Sequence, residues 1–146
     1  MTSFVFRRSF RIQWADCDPA GIVFNPRFFE FFDTNTWLMF EAALGVKAPE
    51  MNKAHGIVGI ALVDAQANFM KPAAFGDDVE LASRVSEFRR SSFDVEHRLR
   101  KGEELLVEGR ETRVWTLRRK DDPERMTAGP IPPEVMARFE IGRAHV

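Results

Sequence analysis

Apolar residues recur along this chain with two different periods, and the change between them marks its elements. From Phe4 to Trp14, "FVFRRSFRIQW" places Phe4, Phe6, Phe10 and Ile12 on one alternating set, broken only by Arg8, which predicts a strand. The turn "DPAG" at Asp18 to Gly21 ends it. Asn25-Pro26 then opens a helix: asparagine is among the best N-caps, and proline at the first helical position loses only an N–H that would lack a partner anyway. The predicted helix runs from Pro26 to Leu44, with Gly45 as its C-cap. At about 100° per residue, Arg27, Glu30, Thr34 and Glu41 share a narrow polar stripe, while phenylalanines, Leu38, Met39, Ala42 and Ala43 cover most of the rest. Such a helix is enclosed rather than laid on a surface. Asn35 falls within the apolar arc and Asp33 near its border, so each is either paired in the interior or part of a site.

After a loop, "GIVGIALVDAQANFMKPA" alternates a small set, Gly59, Ala61, Val63, Ala65 and Ala67, with a mixed one. Small side chains on one face let a backbone approach something bulky, and the phenylalanine-rich helix is the obvious candidate. "DDVELASRVSEF", "SSFDVEHRLR" and "ELLVEGRETRVWTLRR" read as three further strands, the last two joined by a hairpin turn centred on Gly102. "PIPPEVMARF" predicts a short closing helix. The expected class is therefore α+β, an antiparallel five-stranded sheet wrapped around a long central helix. Its exposed edges can be extended by a second copy, so a homo-oligomer is expected.

Composition narrows the picture further. A chain of 146 residues suits one domain, expected over residues 1–139. The closing "EIGRAHV", residues 140–146, reads on back-translation like a common sequencing-library adapter and is expected to be a non-native tail, so His145 is given no role. A formal net charge of -1 provides no global field for nucleic acid or an anionic membrane, and any anionic ligand needs a local basic cluster. The single cysteine, Cys17, excludes an internal disulfide and a cysteine-based zinc site. With no apolar run long enough to span a membrane and no secretory signal core, the chain is expected to be cytoplasmic.

The candidate chemistry sits at the first turn. Asp18 precedes Pro19, which biases it toward an extended conformation, and seven residues later a helix N-terminus offers free N–H groups and the positive end of its dipole. A carboxylate beside an oxyanion site is the minimum equipment for acyl transfer. Thioesters suit it, being activated enough not to demand a histidine-primed serine. On spacing alone, Asp16 and Asp18 read more simply as turn-forming residues. His97 shares an alternating face with Phe93, Val95 and Leu99 and reads as a satisfied core histidine, whereas His55 lies in a loop and could be either. Cys17 is flanked by two acids that oppose thiolate formation. Trp14, Trp37 and Trp115 read as core residues.

The run "DCDPAGIVFNPRFFEFFD" resembles the signature of the 4-hydroxybenzoyl-CoA thioesterase family of hotdog-fold enzymes, and the resemblance extends through "GIVG" at Gly56 to Gly59 and "EFRRSSF" at Glu87 to Phe93. It implies a hotdog fold, a dimer with shared active sites, often a dimer of dimers (a homotetramer), an acyl-CoA substrate, and no metal or redox cofactor. Asp18 matches the catalytic carboxylate, acting as nucleophile or general base, and the backbone N–H of Asn25 matches the donor to the thioester carbonyl. Arg89, Arg90, Ser91 and Ser92 match the segment that binds the CoA phosphates; arginine forks and hydroxyls suit phosphate oxygens. Asp33 matches a carboxylate near the far end of the acyl pocket, and Gly59 and Ile60 fall in its acyl-binding segment. This sequence departs from the aryl-specific pattern in having Asn25 where an aromatic residue stands, and Ile60-Ala61 where the pattern has Thr-Pro. The implied function is hydrolysis of an aromatic, 4-hydroxybenzoyl-like acyl-CoA. The alternatives are a short-chain or branched acyl-CoA or acyl-carrier-protein thioesterase, and a non-catalytic dimeric acyl-CoA binding module. A hotdog dehydratase needs a histidine at the helix start, and "NPRFFEFF" supplies none. Basic residues scattered among acids give nucleic-acid binding little support.

Overall fold

The structure is a computed structural model that describes residues 4–140. The expected tail beyond Glu140, with His145, lies outside the described residues, as does the His55 side chain. In chain order the elements are β1 (Phe6–Arg11), α1 (Pro26–Leu44), α2 (Met51–His55), β2 (Gly59–Phe69), β3 (Asp78–Phe88), β4 (Ser92–Lys101), β5 (Glu104–Arg118), β6 (Met126–Ala128) and α3 (Pro133–Glu140). The helix bounds match the sequence expectation, and Gly45 closes α1 in the left-handed conformation at φ 74°, its N–H donating to Glu41 O. Asn25 differs from it. Its backbone is already helical and its side chain caps nothing, because Pro26 and a Phe24 carbonyl that accepts the Arg27 N–H set the first turn instead.

The strands form one antiparallel sheet in the order β1-β3-β4-β5-β2, with α1 packed on one face. This is the hotdog arrangement, with six strands rather than five: β6 pairs with the end of β5, and its three exposed residues carry no alternation that a sequence reading could detect. Residues 48–55, expected as loop, form a 3₁₀ turn and α2. Arg8, the break in the β1 pattern, keeps its inward register and donates from Nε to the buried Asn35 amide oxygen at 2.8 Å.

The small-residue face of β2 is not one face. A bulge between Leu62 and Asp64 shifts the register against β5, so the alternation reverses at Val63. Ala65 and Ala67 pair with the inward Glu111 and Gly109, whereas Gly59 and Ala61 pair with Thr116 and Val114 on the other face. The close approach to the helix comes from Gly109 instead. A Cβ there would lie 2.4 Å from the Phe32 ring, which stacks on His97 with centroids 4.6 Å apart.

Between α1 and the sheet the core has two apolar halves. Phe28, Phe32, Leu81, Leu99 and Val107 form one, and Met39, Phe40, Phe93, Trp115 and Phe139 the other. A polar belt divides them: Asn35, Thr36, Ser83, His97, Glu111 and Arg113 are all buried. Trp115 is a core residue as expected, and Trp37 is half-buried. Trp14 is not core; it is 60% exposed and packs edge-to-face on Phe75, itself 56% exposed.

Candidate active site

The two carboxylates of "DCD" are used differently. A short hairpin runs from Asp16 to Phe24, closed by hydrogen bonds from Phe24 N to Asp16 O and from Asp18 N to Ile22 O, both 2.9 Å. Its turn is Asp18 to Gly21, and Gly21 takes the positive φ of 80° that such a bulged turn requires. Asp16 is committed: its carboxylate accepts the Gln13 N–H at 2.9 Å and faces Arg27 at 3.6 Å. Asp18 is half-buried and accepts only the Ala20 N–H on Oδ1, at 2.8 Å, which leaves Oδ2 without a partner among the described residues. Cys17 lies between them, and burial together with Asp16, Asp18 and Asp77 pushes its thiol up.

The hairpin delivers the chain directly into α1, and Arg27 ties the two together by donating to Ala15 O at 3.1 Å and to Glu30 at 2.8 Å. The N–H of Asn25, the residue joining them, has no partner among the described residues. Beside it opens a cavity of about 330 Å³ lined by Ile22, Phe28, Phe69, Met70 and Lys71, with the Phe28 and Phe69 rings 5.5 Å apart. Ile22, Phe24, Phe69 and Met70 are all substantially exposed, so this end of the molecule carries an open apolar surface.

Arg89 to Ser92 lie elsewhere. The hairpin is bonded to the segment just before β3 through Val23 N to Ala73 O and Phe75 N to Gly21 O, whereas Arg89 follows the end of β3; the strand between them spans about 33 Å. Within this turn the residues also differ. Arg89 forks onto the buried Asp94 at 2.7 and 3.2 Å, donates to Ser92 Oγ at 2.8 Å and pairs with Glu87. That arginine holds Asp94 well below the usual carboxylate range against its burial, with help from Thr112 and Arg110, and Arg89 itself is raised. Arg90 and Ser91 make no side-chain hydrogen bond or ion pair among the described residues. Their carbonyls accept Ile131 N and Trp115 N, each at 2.8 Å.

Gly59 and Ile60 stand near that second end, since Gly59 pairs with Thr116 and Ile60 with Trp115 across β5. Ile60 is buried in the core, and the Gly59 carbonyl accepts the Thr116 hydroxyl at 2.7 Å. Asp33 lies between the ends, its side chain 55% exposed and bonded to Arg113 at 2.7 Å. Arg113, whose side chain is only 3% exposed, also forks onto Glu111. Burial alone would raise Glu111; bonds from His97 and Arg113 outweigh it and bring the carboxyl from 4.5 to about 2. His97 is a satisfied core histidine as expected, with Ser83 on Nδ1 at 2.6 Å and Glu111 beside Nε2 at 3.1 Å. The sequence reading missed Glu111 and Arg113. Their signal was two charges spaced by two on the strand face that also carries Val107 and Trp115.

The chain matches the family described as the Thioesterase-like superfamily over residues 12–139. It is 30% identical to 4-hydroxybenzoyl-CoA thioesterase of Pseudomonas sp. strain CBS-3 over 127 residues, 84% of this chain and 88% of that protein. A crystal structure of a 4-hydroxybenzoyl CoA thioesterase mutant complexed with 4-hydroxybenzoyl CoA superposes with a TM-score of 0.82 at 27% identity, covering 93% of this chain and 99% of the other. A gentisyl-coenzyme A thioesterase superposes with a TM-score of 0.75 at 30% identity, over 92% of this chain and 98% of the other. No helix among the described residues is long and apolar enough to cross a membrane.

Proposed function

The chain belongs to the thioesterase-like superfamily, within it to the 4-hydroxybenzoyl-CoA thioesterase family of hotdog enzymes, and we propose that it hydrolyses an aromatic acyl-CoA at sites shared between two copies. The observation that carries the mechanism is a carboxylate with one oxygen uncommitted, on a hairpin leading straight to α1, and beside it the amide of the joining residue Asn25, which also has no partner among the described residues. Asp18 adds to the thioester carbonyl carbon, and the oxyanion that develops takes the Asn25 N–H and the positive end of α1. Collapse breaks the C–S bond, CoA leaves as thiolate, and water hydrolyses the remaining acyl-aspartyl anhydride to the free acid. In the alternative route the same carboxylate takes a proton from the attacking water. Phe28, Phe69 and Met70 offer apolar surface for the acyl group beside that amide, and Asp33 accepts a hydroxyl at its far end.

Distance supports the sharing. The phosphate-binding turn of one chain is too far from its own Asp18 to serve the same thioester. Strand β2 is an edge strand with Leu62 49% and Val63 60% exposed, the kind of edge that a second copy covers. Phe69, at one end of β2, lines the Asn25 cavity, and Gly59 is at the other end. Antiparallel pairing of two β2 strands therefore brings Gly59, Ile60 and the Arg90–Ser91 turn of one copy toward Asp18 and Asn25 of the other. In this homodimer Arg90 and Ser91 hold the CoA phosphates and Arg89 braces the turn.

Thiol release measured across benzoyl, 4-hydroxybenzoyl, phenylacetyl and short aliphatic CoA esters tests the reading. The highest kcat/KM is expected for an aromatic ester. No release from any ester would overturn the enzymatic reading, and a preference for the short aliphatic esters would overturn its aromatic part.

A further inference from the structure

Arg113 has one exposed neighbour that its own burial does not require. Four of its five N–H donors are taken: Nε and Nη2 by Glu111 at 3.1 and 2.9 Å, Nη1 by Ile60 O at 3.0 Å, and Nη2 again by Asp33 Oδ1 at 2.7 Å. Glu111 already balances the buried guanidinium, and it is itself fixed by Thr36 Oγ1 at 2.6 Å and His97 Nε2 at 3.1 Å. Asp33 is then a second carboxylate on one cation. The exposures differ sharply, 3% for the Arg113 side chain against 55% for Asp33. A surface ion pair has two mobile, hydrated ends, whereas here one end is anchored in the core. Asp33 is thereby pinned through one oxygen, and the other has no partner among the described residues. Leu62, which pairs with Arg113 in register, is 49% exposed.

We propose that Arg113, backed by Glu111, is a positioning residue that presents Asp33 as a fixed acceptor and so makes the enzyme selective for acyl groups carrying a hydroxyl donor at their far end. This rests on the reading that Asp33 meets the acyl group of a CoA thioester. A fixed acceptor discriminates against a substrate lacking the donor, because a bound acyl group takes Asp33 out of water and, without a hydroxyl, leaves its oxygen unpaired. Lysine keeps the charge of Arg113 but cannot reproduce the fork that reaches Glu111 and Asp33 together.

The test is the ratio of kcat/KM for 4-hydroxybenzoyl-CoA to that for benzoyl-CoA. Wild type is expected to show a ratio of at least about tenfold. Asp33→Asn and Arg113→Lys should each lower that ratio by about tenfold, and the double variant should lower it no further than either alone. Should Arg113→Lys fail to fold, the paired Glu111→Gln/Arg113→Gln exchange removes both buried charges together and must show the same fall in ratio. A wild-type ratio near one, or Arg113 variants that slow both esters equally, would overturn the proposal while leaving thioesterase activity demonstrated. Failure to turn over either ester counts against the underlying reading and this proposal together.

Discussion

At the end of the sheet where α1 begins, one Asp18 oxygen and the Asn25 amide have no partner among the described residues, amid exposed Ile22, Phe24, Phe69 and Met70. At the other end the Arg89 charge is paired, on Asp94, Glu87 and Ser92, while the side chains of Arg90 and Ser91 have no partner among the described residues. The contrast shows that residue type within a motif does not decide which group meets the ligand. The neighbours decide it. Asp16 and Asp18 are chemically alike, yet one fastens a turn and the other does not; Arg89 and Arg90 repeat the same division at the opposite end.

Substitutions can break this contrast at either end. The largest effect is expected at Asp18: Asp18→Asn should lower kcat by about 10³-fold or more while retaining binding of the CoA ester, whereas Asp16→Asn should cost far less. Steady-state kinetics paired with calorimetric binding separates the two, and equal losses would remove the distinction between the carboxylates. At the other end, Arg90→Ala should raise KM by about tenfold with kcat little changed. Arg89→Ala should instead lower stability by about 1–2 kcal/mol, a loss moderated because Arg110 and Thr112 still hold Asp94. A urea midpoint unmoved by Arg89→Ala would contradict the bracing role. The smallest effect concerns the belt between the ends. Glu111 is depressed from 4.5 to about 2, so its stabilisation is complete above about 4.5 and is lost as the pH falls toward 2. The urea midpoint should fall across that window, and less steeply in Glu111→Gln; parallel profiles would count against it.

The sequence carried the local signals well. Pro26 and Gly45 bounded α1 because their effects are confined to adjacent residues, and the hydrophobic periods located β1 to β5. Signals that depend on a distant partner did not survive in it. The β2 face was misread because the bulge at Val63 exists only in its register with Thr112 and Arg113. Arg89 looked available because Asp94, five residues on, comes within reach only when β3 and β4 pair. Asp18, Asn25 and Arg89 to Ser92 were legible as motifs, but their division between two ends of the sheet required the topology, as did the pairing that joins Glu111 and Arg113 to Asp33.

Mixing two crippled chains tests the shared site most directly. Asp18→Asn and Arg90→Ala proteins are denatured together, refolded at equal ratio and assayed at low acyl-CoA. In a mixed dimer one site takes Asp18 from the Arg90→Ala chain and Arg90 from the Asp18→Asn chain, so about a quarter of all sites should regain wild-type kcat and KM. If activity never exceeds the average of the two proteins refolded separately, Asp18 and Arg90 act within one chain and the shared site is wrong.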